Sequence, residues 1–209
     1  MSKTVVFGGT SGIGKVIAER MGAVAFSKRT GHDVTDPELR LPECENLIFC
    51  LRYRGSDRLI QWGTEFFGPS RVIDELPRGF RSVVLVSSEA ARTVSYQQEL
   101  DYHASKSALE AMVRFFAVRL GPRGVRVNAV APGSVQKEEN REFYYSSGLQ
   151  TVLERALPLR RMVTADDVAA VVEFLCSEGA RGITGQVITV DGGGSLINLE
   201  SYIRKQHGV

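Results

Sequence analysis

Short apolar runs rich in valine and isoleucine recur along the chain, each bounded by turn residues. They are TVVF (4–7), AVAF (23–26), NLIFC (46–50), SVVLVS (82–87), VRVNAV (125–130) and QVITV (186–190). Because these runs are continuously apolar and do not alternate with polar residues, they predict strands that are covered on both faces. Such strands are typical of a mainly parallel sheet.

Segments with the helical spacing of apolar residues lie between several of these strands. The clearest are GKVIAERMG (14–22), SKSALEAMVRFFAVRLG (105–121) and TADDVAAVVEFLCSEGA (164–180). Thr164, followed by acids two and three residues later, marks a helix start. Strands that alternate with helices predict an α/β fold, a doubly wound parallel sheet of Rossmann type in three αβα layers. We expect residues 1–209 to form one such domain.

Two segments depart from this alternation. The crossover around residues 27–46 is too short for a helix, a strand and a second helix, so it is predicted to contain only loop or a single turn. The segment 136–157 is polar, carries the aromatic residues Phe143, Tyr144 and Tyr145, and follows a strand end. A lid or substrate loop is expected at this place in the fold.

Composition excludes several classes of function. Apolar residues make up 43% of the 209 residues and charged residues 24%, as in ordinary globular proteins. A net charge of +2 argues against nucleic acid or an anionic membrane as a partner. No apolar stretch approaches the ~18 residues of a membrane span, and the chain does not begin with a secretory signal pattern. The cysteines and histidines show no metal-ligand spacing. These observations predict a cytoplasmic, metal-free protein.

The segment VVFGGTSGIGKVIAE (5–19) has the pattern strand, tight turn, helix. Gly8, Gly12 and Gly14 would let the backbone approach a pyrophosphate, which exposed N–H groups and the helix dipole would hold. Turns of this kind also join strands to helices where no ligand binds. The position of this turn directly after the first strand favours the nucleotide interpretation.

Tyr102 and Lys106 are four residues apart, so on a helix they would lie one above the other on the same face. A fixed cation beside a phenol favours the phenolate, which brings the proton affinity of a tyrosine closer to neutral pH. Taken alone, the pair could also be two polar side chains on a solvated helix face.

Six motifs occur in an order that resembles the short-chain dehydrogenase/reductase family, in its single-domain type. They are GGTSGIG (8–14), DVTD (33–36), VVLVSSEAA (83–91), YHASK (102–106), GVRVNAVAPG (124–133) and ITGQVITVDGG (183–193). The resemblance covers nearly the whole chain. It implies a nicotinamide-dependent oxidoreductase that transfers a hydride between the cofactor and a carbonyl or secondary alcohol of a small molecule.

The resemblance also implies roles for individual residues. Tyr102 is the general acid or base, Lys106 supports it and binds the nicotinamide ribose, and Ser88 polarises the substrate oxygen, with Ser87 as the alternative serine. The residues that it places at the cofactor are Gly8, Thr10, Ser11, Gly12, Ile13, Gly14, Ser27, Lys28, Arg29, Asp33, Val34, Cys50, Leu51, Tyr102, Lys106, Pro132, Gly133 and Val135. For Asp33 a simple turn or cap role is an equal alternative. The family further implies a homodimer or homotetramer, formed through the helix 105–120.

Several positions depart from the family pattern. Its N-N-A-G motif falls on Cys50, Leu51, Arg52 and Tyr53, and its catalytic asparagine falls on Glu65, with Thr64 as the neighbouring alternative. Lys137 replaces a threonine. These departures keep open a second hypothesis, a nucleotide-binding regulator or subunit without turnover. A dehydratase or epimerase of the same fold is disfavoured by the glycine spacing and the chain length.

Cofactor preference is predicted from the end of the second strand. Ser27, Lys28 and Arg29 follow it, and no carboxylate precedes Asp33. A hydroxyl and two cations suit a 2′-phosphate, so NADP(H) is favoured and NAD(H) is possible, unless these are ordinary loop charges. An anionic substrate is one interpretation of a second group of cations, which solvation alone would also explain: Arg52, Arg54, Lys137 and Arg141.

Overall fold

Six parallel strands form the central sheet of the computed structural model, which describes residues 3–208. The strands of the chain are β1 (Thr4–Phe7), β2 (Val24–Phe26), β3 (Asn46–Phe49), β4 (Ser82–Val86), β5 (Arg126–Pro132), β6 (Val135–Gln136), β7 (Val163–Thr164) and β8 (Val187–Val190). The sheet order is β2-β1-β3-β4-β5-β8, and β6 pairs with β7 separately. The predicted doubly wound parallel sheet is therefore confirmed. Of the predicted domain 1–209, residues 1, 2 and 209 lie outside the described part.

Helices cover both faces of the sheet. They are α1 (Gly12–Arg20), α2 (Arg58–Trp62), α3 (Gly68–Asp74), α4 (Leu100–Leu120), α5 (Arg141–Ser146), α6 (Leu149–Ala156), α7 (Ala165–Cys176) and α8 (Leu199–His207). A π-helical turn, Gly63–Phe67, joins α2 to α3. One core cluster holds α3 and α4 against the sheet, and a second holds α1 and α7 against the opposite face. Burial of apolar side chains on both faces explains why the strands are apolar throughout.

The crossover between β2 and β3 is shortened, as predicted. It contains one 3₁₀ turn, Lys28–Thr30, and no α-helix. The segment packs on the face that carries α3 and α4, where Val34 and Cys44 are buried in the core. These side chains cover β1 in place of a helix, and β2 is left as the edge of the sheet.

Some boundaries differ from the prediction. Helix α4 begins at Leu100, five residues before the apolar pattern that starts at 105. The lid segment 136–157 is largely ordered into β6, α5 and α6. These helices are not part of the prediction, although Leu149, Val152 and Leu153 of α6 have the helical spacing of one apolar face. Within residues 3–208, no helix is both long and apolar enough to cross a membrane.

Candidate active site

The predicted site segments meet at one edge of the sheet. Because the strands are parallel, the turns that follow β1, β3, β4 and β5 all emerge at their carboxyl ends. This edge brings together the glycine-rich turn, the segment 50–53, the serines 87–88 and the segment 132–135. In parallel α/β sheets this edge is where ligands bind.

The glycine-rich turn is packed too closely for side chains. A Cβ atom on Gly8 would overlap the Cys50 carbonyl oxygen, and one on Gly14 would overlap the Gly8 carbonyl oxygen. Gly8 also has a φ of +78°, which L-residues rarely adopt. Helix α1 begins at Gly12 and its N-cap Ser11 makes no side-chain cap. The N-terminal N–H groups therefore face the cleft without a serine cap.

An anionic side chain already lies at this turn. The Gly12 N–H donates to Glu139 Oε1 at 2.8 Å, across 127 residues of sequence. Hydrogen bonds from its own backbone N–H and from Gly12 hold the pKa of Glu139 below its usual value, so it is a carboxylate at neutral pH. The turn thus binds an anionic oxygen in this structure, which fits the pyrophosphate interpretation.

Of the other residues predicted in this turn, Ser11 is exposed and Thr10 is half-buried. Ile13 packs against the core cluster beneath α1. The side chain of Ile13 therefore has a structural role, and only its backbone faces the turn.

Tyr102 and Lys106 lie in the first two turns of α4, as their spacing predicts. The Lys106 Nζ atom is 5.6 Å from the centroid of the Tyr102 ring. It donates to the Leu51 carbonyl oxygen at 2.9 Å, and its side chain is only 3% exposed. The lysine thereby joins α4 to the end of β3, where the predicted cofactor residues Cys50 and Leu51 lie.

Glu65 is the acidic partner of this lysine. Its Oε2 atom lies 3.4 Å from Lys106 Nζ and accepts from Ser105 Oγ at 2.7 Å. Its Oε1 atom accepts from the Tyr53 N–H at 2.8 Å. The side chain is fully buried and is carried by the π-helical turn, a distortion often found at functional sites. Of the two candidate positions it is Glu65, not Thr64, that reaches Lys106.

The two serines after β4 have different surroundings. Ser87 is buried, and its Oγ donates to the Lys106 carbonyl oxygen at 3.3 Å. Ser88 is half-buried and its Oγ accepts from the Ala90 N–H at 3.2 Å, capping the 3₁₀ turn Glu89–Ala91. That turn is tied to α4, because the His103 ring lies 2.7 Å from the Ala90 carbonyl oxygen. Within residues 3–208 the Ser88 hydroxyl hydrogen has no acceptor, so it is available to a ligand.

The predicted residues after β2 form an exposed turn. Ser27 and Thr30 make a capping box, and Lys28 Nζ lies 3.1 Å from Asp33 Oδ2. Burial alone would raise the pKa of Asp33, but hydrogen bonds from Thr35 and Lys28 outweigh it and the pKa lies below its usual value. Arg29 is exposed. Asp33 thus has the turn role that was the alternative for it, and one of the two candidate phosphate-binding cations is paired.

The remaining predicted residues lie around the other strand ends. Val34 is 3% exposed and belongs to the core, and Val135 is buried in β6. Pro132 ends β5, and the Gly133 N–H donates to the Val190 carbonyl oxygen at 3.0 Å. Burial raises the pKa of the Cys50 thiol to about 11, which keeps it neutral. The side chains of Val34 and Val135 therefore pack inside the protein.

Three residues of the site were missed by the sequence prediction: Glu139 at Gly12, Ser105 at Glu65, and Gln98, whose Oε1 accepts from the Arg52 guanidinium at 2.9 Å. Ser105 lies within the YHASK motif, so its proximity could have been noticed. Nothing in the sequence indicates that Glu139 would meet a glycine so distant along the chain.

Comparison with known proteins decides the family. Residues 67–195, more than half of the chain, match a family model described as enoyl-(acyl carrier protein) reductase. The human protein named dehydrogenase/reductase SDR family member 4 is 39% identical over 116 residues, which are 56% of this chain. The chain belongs to the short-chain dehydrogenase/reductase family. The match spans only 41% of the human protein's length.

Solved structures of other dehydrogenases share the fold. A small-chain dehydrogenase in complex with NADPH has a TM-score of 0.77 and 24% identity, and the match covers 93% of this chain and 98% of that one. A 4-hydroxyisoleucine dehydrogenase complexed with NADH has a TM-score of 0.75 and 19% identity, covering 94% and 100%. At these identities the likeness establishes the architecture alone.

Proposed function

We propose that this protein is an NAD(P)-dependent oxidoreductase that interconverts a carbonyl and a secondary alcohol on a small molecule. The observation that carries the proposal is the position of Tyr102. Its ring lies beside the buried ammonium of Lys106, at the same sheet edge as a glycine-rich turn that binds an anionic oxygen. A phenol that can transfer a proton, at the same sheet edge as an anion-binding turn, suits hydride transfer between a bound nucleotide and a carbonyl.

The glycine-rich turn would hold the dinucleotide through the backbone of Gly8, Gly12 and Gly14, with Pro132 and Gly133 on the nicotinamide side. The relatives of known structure complexed with NADPH and NADH support this choice of cofactor. When bound, the nicotinamide supplies the hydride chemistry. Glu139 must leave the Gly12 N–H before a phosphate oxygen can use it.

In the direction of reduction, Tyr102 gives its hydroxyl proton to the substrate oxygen, and in oxidation it takes that proton back. A cationic environment favours the phenolate that is left after the proton is given. The Ser88 hydroxyl would donate a hydrogen bond to the same oxygen and polarise it. Lys106 is kept in position by the Leu51 carbonyl oxygen and by Glu65.

We further propose that NADP(H) is preferred over NAD(H). Lys28 and Arg29 follow the end of β2. Arg29 is an exposed cation that could bind a phosphate with two parallel hydrogen bonds. Lys28 is held in the same turn by Asp33, whose carboxylate reduces the net positive charge there. We therefore expect Arg29 to contribute more to the preference than Lys28.

Self-association through α4 is also proposed. Phe115 and Val118 on this helix are 58% and 81% exposed, an apolar surface that a second copy of the chain could cover. Light scattering would show a dimer or tetramer, and Val118→Glu is expected to shift the mass toward the monomer. A monomeric wild type would refute this part of the proposal.

The test of the function is a nicotinamide absorbance assay with a panel of aldehydes, ketones and secondary alcohols. Wild-type protein is expected to oxidise NADPH with at least one carbonyl, and Tyr102→Phe is expected to lose that turnover by about 10²–10⁴-fold. Calorimetric titration with NADP⁺ provides the second measurement. Nucleotide binding without turnover across the panel would favour the regulator hypothesis instead.

A further inference from the structure

The charge of Lys106 is offset by Glu65. The two side chains are 3% and 0% exposed and their charged atoms are 3.4 Å apart. Glu65 is itself fixed by donors from Ser105 and Tyr53. Two opposite charges this close, out of contact with water, partly cancel each other's field at a third group. Glu65 therefore reduces the positive potential that Lys106 exerts at Tyr102.

A second cation lies directly on the tyrosine. The central guanidinium carbon of Arg52 is 4.9 Å from the centroid of the Tyr102 ring, closer than Lys106 Nζ at 5.6 Å. The guanidinium is oriented by a neutral amide, Gln98 Oε1, at 2.9 Å. In the described part of the chain no carboxylate oxygen lies within 4.0 Å of Arg52, so its charge has no ion-pair partner there.

We propose that Arg52 is a positioning residue that supplies the cationic field at Tyr102, while Glu65 holds Lys106 in place and offsets its charge. The inference rests on the proposed function in taking Tyr102 as the proton-transferring group. It divides between two residues what a single lysine could do: Lys106 fixes the geometry, and Arg52 favours the phenolate.

Other titratable groups lie near Tyr102 on the elements packed around it. On α4, Lys106 and His103 face it, and the His103 ring centroid lies 6.2 Å from the tyrosine ring. Both ring nitrogens of His103 lie within hydrogen-bond distance of the Ala90 and Ser95 carbonyl oxygens. From the segment after β3 comes Arg52, and from the π-helical turn Glu65 acts through Lys106. Histidine ordinarily changes charge well below the alkaline range in which a phenol ionises, so a histidine does not contribute to a phenolate titration in that range.

The experiment is an ultraviolet difference titration of the phenolate in cofactor-free protein. Subtracting the spectrum of Tyr102→Phe isolates the signal of this tyrosine. Arg52→Gln is expected to move the ionisation midpoint upward by about half a pH unit to one unit, since an exposed cation is partly screened by water. Arg52→Lys keeps the charge and should restore most of the wild-type midpoint.

The matched control is Arg54→Gln, which removes one positive charge from the same segment without touching the ring. Its midpoint should stay within about 0.2 units of wild type. Glu65→Gln should move the midpoint in the opposite direction, downward, because it unmasks Lys106. If that variant fails to fold, the Arg52 and Arg54 variants alone decide the question.

Equal midpoints in wild type and Arg52→Gln would overturn the inference, and so would equal upward shifts in Arg52→Gln and Arg54→Gln. If Arg52→Gln instead raised KM for a keto acid but not for its methyl ester, with no change of midpoint, Arg52 would bind a substrate anion and the inference would also be wrong. The titration needs no turnover, so its result stands apart from that of the carbonyl assay.

Discussion

Two ends of the cleft differ in how their charged side chains are buried. We call the region around Tyr102, Lys106 and Glu65 the catalytic end, after its proposed role, and the turn after β2 the β2 end. At the catalytic end, Lys106 and Glu65 are an ion pair with side chains 3% and 0% exposed, held by three segments: α4, the π-helical turn and the segment 50–53. At the β2 end, Lys28 and Asp33 are an ion pair with side chains 59% and 30% exposed, within one turn. The first pair has buried, mutually dependent partners, and the second is largely solvated.

The shortened crossover lies at the edge of the sheet. The segment 27–46 contains one 3₁₀ turn and no α-helix, and β2, which precedes it, is the edge strand. The catalytic end lies over the centre of the sheet, where α4, β3 and the π-helical turn share one buried network. Changes at the catalytic end should therefore be far more costly than changes at the β2 end.

The largest effect is expected from Lys106→Ala. Turnover should fall by at least about 10³-fold and NADP⁺ affinity should fall as well, because the lysine serves both the tyrosine and the ribose. Tyr102→Phe should lose turnover with nucleotide affinity within about twofold of wild type, since only the phenolic hydroxyl group is removed. Calorimetry and steady-state kinetics measure the two quantities. Equal losses of nucleotide affinity in the two variants would contradict this division of roles.

Glu65→Ala should lower the free energy of unfolding by about 3–5 kcal/mol, because it leaves Lys106 buried without a counter-charge. The matched control is Glu45→Ala, which breaks a solvated pair with Lys3. That change should cost less than about 1 kcal/mol. Urea unfolding followed by circular dichroism measures both. Equal free energies of unfolding for the two variants would show that Lys106 does not depend on Glu65 as its buried counter-charge.

The β2 end is tested by cofactor preference. The double variant Lys28→Ala, Arg29→Ala should reduce the ratio of kcat/KM for NADPH over NADH by about tenfold, because the 2′-phosphate loses its charge-assisted partners. Most of that loss should appear in Arg29→Ala alone, since Lys28 is already engaged by Asp33. A wild-type preference for NADH, or a ratio that the double variant leaves unchanged, would show that these cations do not recognise the phosphate.

The smallest effect is expected between the two ends, at Glu139. Glu139→Gln should tighten NADP⁺ binding by about threefold to fivefold, because the neutral amide competes less well for the Gly12 N–H. Since the pKa of Glu139 is held below its usual value, the carboxylate competes at neutral pH and loses its advantage only as the pH falls through that lowered pKa. The difference in NADP⁺ affinity between Glu139→Gln and wild type should therefore become smaller as the pH falls through that range.

Glu138→Gln is the control, because this neighbouring carboxylate makes no hydrogen bond to the glycine-rich turn. Weaker nucleotide binding in Glu139→Gln than in Glu138→Gln would mean that Glu139 supports the bound state and does not compete with it.

Much of the fold could be predicted because its signals are local. Continuous apolar runs identify the six strands of the sheet, and β5 and β8 lie where VRVNAV and QVITV predict them to within two residues. Thr164 begins α7 with the predicted capping box. The helices of the segment 136–157 were not recognised, although α6 has an amphipathic pattern, and the π-helical turn has no local pattern that predicts it.

Four features are predictable from the sequence: the parallel sheet, the glycine-rich turn, the shortened crossover and the shared helix face of Tyr102 and Lys106. Each depends on residues within a few positions of one another, where backbone sterics and hydrophobic periodicity act. The pairing of Glu65 with Lys106, the position of Arg52 over Tyr102 and the contact of Glu139 with Gly12 arise from tertiary packing. These contacts join segments far apart in the chain, and their geometry depends on how the strands and helices pack, which short-range patterns do not encode.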